Sequence, residues 1–107
     1  MEINVIQKWF EDFSRKEGWL EQDVYKDLGF LFEESGEVAR EVRRHEIGRH
    51  THAKDEVMTN EEMKEKLAEE IGDVLACLSV IASRYNITLQ EAFNIHQRKM
   101  IKEYGDV

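Results

Sequence analysis

The chain has 107 residues, 41% apolar and 36% charged, which suits one small globular domain, residues 1–107, with a modest core. Its 23 acidic residues outnumber its 15 basic ones, for a formal charge of -8, so no nucleic-acid partner is expected of a chain that lacks the basic face such binding needs. Its longest apolar runs fall short of the roughly 18 residues of a bilayer span, the opening Met1-Glu2-Ile3-Asn4 has no secretory pattern, and the single Cys77 allows no internal disulfide, so a cytoplasmic protein without a membrane partner is expected.

Every long periodic segment has the helical period, which predicts an all-α fold of four main helices. The first spans about Asn4 to Lys16, with Asn4 and Gln7 as a capping-box pair and Val5, Ile6, Trp9, Phe10 and Phe13 as one apolar stripe. Gly18 is its expected stop. The second starts near Gln22 and runs to about Arg44, carrying Leu20, Val24, Leu28, Leu31, Val38 and Val42 at spacings of three, four and seven. The third begins at Thr59, whose Thr59-Asn60-Glu61-Glu62 has capping-box form, carries Met63, Leu67, Ile71, Val74, Leu78 and Ile81, and ends near Tyr85-Asn86. The fourth opens on a further box, Thr88-Leu89-Gln90-Glu91, and runs toward Tyr104 with Gly105 as its end.

Between the second and third helices, His45 to Met58 is the one basic stretch, and at about 14 residues it exceeds the 2 to 8 usual between neighbouring helices. Ile71 to Ala82 is apolar on nearly every side, and Phe30-Leu31-Phe32 covers more than one face. A helix apolar all round is buried all round, and four helices of this size cannot cover both segments. Part of that surface is therefore expected to lie against a second subunit in a homo-oligomer.

One charge, Asp73, interrupts the apolar run, three residues after Glu70, and the second helix holds Glu34 and Glu37 at the same spacing, with Glu33 beside them. Acids three apart share a helix face. Carboxylates on a core-facing stripe are costly unless a cation or proton compensates them, so these four together imply a metal. An all-oxygen donor set favours Mg²⁺, or Mn²⁺, over zinc. Gly36 and Gly72, each next to one of these acids, suggest close approach of a backbone or a ligand.

The run Glu33-Glu34-Ser35-Gly36-Glu37, followed by Glu70-Ile71-Gly72-Asp73-Val74-Leu75, resembles the paired motif of the MazG-like all-α nucleoside triphosphate pyrophosphohydrolases, E-E-x-x-E then E-x-x-D. Leu67 to Leu75, and Ile81-Ala82 through Thr88 to Phe93, also resemble that family's third and fourth helices. The resemblance implies a four-helix bundle-type fold assembled as a homodimer or homotetramer. It implies Mg²⁺-dependent hydrolysis of a nucleoside triphosphate to the monophosphate and pyrophosphate, in the service of nucleotide-pool cleaning. It further implies metal ligation by Glu34, Glu37, Glu70 and Asp73. Glu33 and Glu37 are then candidate catalytic carboxylates, with the acceptor of the water proton left open. Trp19 resembles a base-stacking residue, Lys99 a phosphate contact, and Asn94, about one and a half turns earlier, a nucleotide hydrogen-bonding group. Core packing for Trp19 and helix-dipole compensation for Lys99 are the competing accounts. A relative specific for phosphoribosyl-ATP or for one deoxynucleotide, or a non-catalytic interaction module, shares the same pattern.

Other chemistries lack their residues. His45 and His50 are one residue too far apart for a zincin helix, no Glu stands three before any histidine as a di-iron bundle requires, and no P-loop surrounds any of the six glycines. Cys77 reads as a small apolar residue rather than a nucleophile.

Overall fold

A chain with no proline and with apolar side chains every three to four positions has nothing to break its helices except glycine and the caps. The computed structural model describes residues 2–47 and 58–107. It contains α1 (Ile3–Lys16), a 3₁₀ turn (Trp19–Glu21), α2 (Val24–Ile47), α3 (Asn60–Arg84) and α4 (Leu89–Tyr104), with no strand among the described residues. No described helix is long and apolar enough to cross a membrane.

The punctuation follows backbone chemistry. Gly18, at φ 78°, ends α1, and Gly105, at φ 83°, ends α4 while donating to Ile101 O at 2.8 Å; only glycine takes such angles cheaply. Asn86 turns the chain after α3 at φ 57°. Thr59 Oγ1 accepts from the Glu62 amide at 3.1 Å, and at Thr88 both halves of the capping box form, so two of the three boxes expected from the sequence cap their helices. α2 continues three residues past Arg44, to Ile47. The basic stretch beyond it, with Arg49, His50, His52 and Lys54, lies outside the described residues.

The third box is not used. Glu2 is the N-cap of α1 and makes no side-chain cap, Asn4 lies inside the helix rather than at its cap, and Gln7 is engaged elsewhere. Its Nε2 donates to Ser83 Oγ at 3.1 Å and to Ile87 O at 2.9 Å, and its Oε1 accepts from the Leu89 amide at 2.7 Å. Gln7 is buried, so its amide joins α1 to the α3–α4 turn and satisfies an amide that the first turn of α4 leaves unpaired. Gln7→Ala strands these partners and is expected to lower stability by about 2 to 3 kcal/mol. A urea midpoint that falls with an unchanged slope checks this.

The chain divides into two compact units. In Met1–Val24 with Leu78–Val107, α1 packs on the 3₁₀ turn and on α4. Arg84 donates there to Trp19 O at 3.1 Å and Leu20 O at 3.3 Å. In Tyr25–Cys77, α2 faces the first part of α3.

Apolar burial in the single chain is sparse. Val80 is the one described apolar residue that is buried, whereas Ile71 is 53%, Leu78 45% and Phe32 76% exposed. The all-round apolar stretch is thus only partly covered by the described residues, with Ile71 and Leu78 exposed, Val74 to Cys77 half-buried and Val80 buried, since four helices offer too little surface to enclose it. Trp9, on the α1 stripe, is likewise exposed and stacks on Phe13 with ring centroids 5.1 Å apart. Among the described residues nothing lies within 4 Å of where a Cβ would stand at Gly36 or Gly72, so close packing of the described helices is not why glycine stands there.

Candidate metal centre

Residues three apart on a helix project within about 60° of each other, so α2 presents Glu34 and Glu37 together and α3 presents Glu70 and Asp73 together. Within Tyr25–Cys77 the two faces converge, and one carboxylate oxygen from each of the four residues lies within 4.8 Å of all the others. Each of the four feels its neighbours electrostatically, Glu34 with Glu37 and Asp73, and Glu70 with Glu37 and Asp73. Ionised carboxylates can only accept hydrogen bonds, so four of them in a ring this close repel one another unless a cation or protons compensate.

The proton affinities follow that logic. Burial, then the charge of Asp73, pushes Glu34 up. Burial, then the charge of Glu70, does the same to Asp73. Glu37 is pushed up to about 7, first by its hydrogen bond to Glu70 and then by burial and the neighbouring charges. Glu70 goes the other way. Burial pushes against it, but the hydrogen bonds from Glu37 and Lys66 and the Lys66 charge hold its carboxyl below the usual range.

Glu70 is 2% exposed, and the Oε2 atoms of both Glu34 and Glu70 are buried without a hydrogen-bond partner. Buried polar atoms are nearly always satisfied, and anionic ones most of all. Four converging oxygen donors, two of them with an unsatisfied oxygen, fit a hard divalent cation of the Mg²⁺ or Mn²⁺ type. Among the described residues no histidine or cysteine joins the group. Cys77 is half-buried and its thiol is pushed up, chiefly by burial, which makes it a poor nucleophile.

The other sequence candidates lie outside this ring. Glu33 is exposed on α2 and contributes its charge to Glu34. Trp19, Asn94 and Lys99 belong to the other unit. There Trp19 is 47% exposed and meets Phe13 edge-on at 5.6 Å, Asn94 Oδ1 accepts from Gln90 at 3.0 Å, and Lys99 is exposed on α4.

Two residues that the sequence reading passed over matter here. Lys66 Nζ lies 3.3 Å from Glu70 Oε1, and its place four residues before Glu70 was the available signal. Glu41, 1% exposed, continues the Glu34–Glu37 face of α2 and pairs with Arg44 at 2.9 Å and Arg40 at 3.5 Å. The three-then-four spacing of Glu34, Glu37 and Glu41 carried that information.

The model of the MazG nucleotide pyrophosphohydrolase domain family matches residues 24–107, a span that includes α2, α3, α4 and both acidic pairs. The chain is also similar to the uncharacterized protein YvdC of Bacillus subtilis (strain 168), with 38% identity over 104 residues that cover 97% of each chain. No solved structure matches it.

Proposed function

This chain belongs to the MazG nucleotide pyrophosphohydrolase family, and from that premise we propose that it hydrolyses a nucleoside triphosphate at the α-phosphorus, releasing the monophosphate and pyrophosphate, with Mg²⁺ or Mn²⁺ as cofactor. The observation that carries this reading is the convergence of Glu34, Glu37, Glu70 and Asp73 within 4.8 Å, with the Oε2 atoms of Glu34 and Glu70 buried and without a hydrogen-bond partner. These four hold the metal. When bound, the cation neutralises phosphate oxygens and lowers the pKa of a water able to attack phosphorus.

The protein's own groups supply the rest. Glu33 stands outside the four-oxygen group and is the carboxylate assigned to take the proton of the attacking water. Glu37 would ligate the metal as its carboxylate, the form a bound cation favours. Trp19 stacks on the base, Asn94 hydrogen-bonds the nucleotide and Lys99 contacts phosphate, assignments supported by motif resemblance alone. The exposed apolar side chains of Phe30, Phe32, Ile71 and Leu78 support assembly as a homodimer or homotetramer, since large apolar groups left open to water call for a covering partner. A single-domain cytoplasmic enzyme that removes unwanted nucleotides from the pool is the cellular role in keeping with this chemistry.

The test is a panel of canonical and modified nucleoside triphosphates, incubated with Mg²⁺ or with chelator, with products separated by ion exchange. Monophosphate and pyrophosphate in equal amounts, formed only with metal, is the expected result. Diphosphate and orthophosphate, or turnover in chelator, contradicts it. If no triphosphate is cleaved although the metal binds, the general hydrolase assignment is lost and a special nucleotide or a protein partner takes its place.

A further inference from the structure

Lys66 has no part in the function proposed so far, yet it stands at the edge of the site. It shares a face of α3 with Glu70 and Asp73, four and seven residues on, and its Nζ lies 3.3 Å from Glu70 Oε1 and 3.5 Å from Glu69 Oε2. Among the described residues it is the cation paired with a member of the carboxylate ring. Its side chain is 36% exposed while that of Glu70 is 3% exposed, so the ammonium rests on a buried acid with one side open to solvent. An ammonium has three donors, and these two pairings leave one over. Helix pairs three or four residues apart contribute little stability of their own, so stability alone gives a weak account of a lysine in this place.

A chain of charge -8 that receives a polyphosphate needs cations at the point of contact. We propose that Lys66 is a direct phosphate contact, holding oxygens of the triphosphate and of the pyrophosphate product with the donor it turns to solvent. This inference rests on the pyrophosphohydrolase reading. It places the pyrophosphate end of the substrate toward the Glu70 side of the ring.

The test uses Lys66→Met and Lys66→Arg, with calorimetric titration first of Mn²⁺ and then of inorganic pyrophosphate into the Mn²⁺-loaded protein. Lys66→Met is expected to weaken pyrophosphate binding about tenfold or more while Mn²⁺ binds as well as before or slightly tighter, because a nearby positive charge has gone. Lys66→Arg restores pyrophosphate to within about threefold, since it keeps the charge. In turnover, KM rises more than kcat falls. Pyrophosphate affinity unchanged in Lys66→Met overturns the proposal, as does a loss of Mn²⁺ affinity in step with pyrophosphate, which makes the lysine a support for Glu70 only. Unaltered protein that takes up Mn²⁺ but no pyrophosphate removes the hydrolase reading itself.

Discussion

Asp73→Asn, and separately Glu34→Gln, is expected to reduce pyrophosphate release by about 100-fold or more while raising the thermal midpoint of the metal-free protein. Both effects have one cause. Each residue is a carboxylate whose ionised form is opposed first by burial and then by neighbouring charge, so a neutral amide of nearly the same shape removes that strain along with a ligand. A gain of about 1 kcal/mol corresponds to roughly 4 to 8 °C in a domain of this size. Steady-state rates in Mg²⁺ and melting curves in chelator measure the two halves. An amide variant that melts lower in chelator than the unaltered protein does contradicts the reading of these acids as a ligand set kept at a cost to stability. Gln7→Ala provides the contrast, since it is expected to lower the midpoint with or without metal.

Adding Mg²⁺ or Mn²⁺ is expected to raise the thermal midpoint, and to raise it more at pH 8 than at pH 5.5. A ligand at 100 times its Kd stabilises by about 2.7 kcal/mol. The pH dependence comes from the ring. Glu37, Glu34 and Asp73 have folded pKa values above their ordinary ones, so their contribution to metal-free stability is complete below the ordinary carboxylate pKa and is lost as pH rises through the folded value. For Glu37 that window runs from 4.5 to about 7. Glu70 has the opposite sign, and its contribution falls away only as pH drops below the ordinary value. The metal-free protein therefore weakens from pH 5.5 to 8, whereas the cation competes with fewer protons and binds more tightly over the same range. Melting curves at fixed metal concentration across that range check this. A metal-induced shift that shrinks as pH rises contradicts it.

Much of this was legible in the sequence because it depended on local chemistry. Helical period, the Thr59 and Thr88 caps, and the stops at Gly18 and Gly105 are set by neighbours a few residues away, and all five appear as expected. The convergence of the four acids was legible for a related reason. Two E-x-x-E/D spacings fix which carboxylates share a face, and an apolar setting for Asp73 shows that the face turns inward. What the sequence concealed depends on long-range pairing. Gln7 matches a capping residue at short range, but its amide serves partners about eighty positions away, where it is worth more than at an exposed helix start. Lys66 and Glu41 were ordinary charges in a chain rich in them until burial showed which acids they accompany. That Ile71 and Leu78 stay exposed in the single chain was legible from the all-round apolar pattern, but periodicity reports that a face is to be covered and not what covers it.

The central claim is that this carboxylate site directs water to the α-phosphorus of a nucleoside triphosphate. Hydrolysis in ¹⁸O-labelled water, with products resolved by mass spectrometry, tests it most directly. One ¹⁸O in the monophosphate, none in the pyrophosphate, and no turnover in chelator or with Asp73→Asn is the predicted result. Label in pyrophosphate or orthophosphate, or labelled monophosphate formed equally well in chelator, would contradict it.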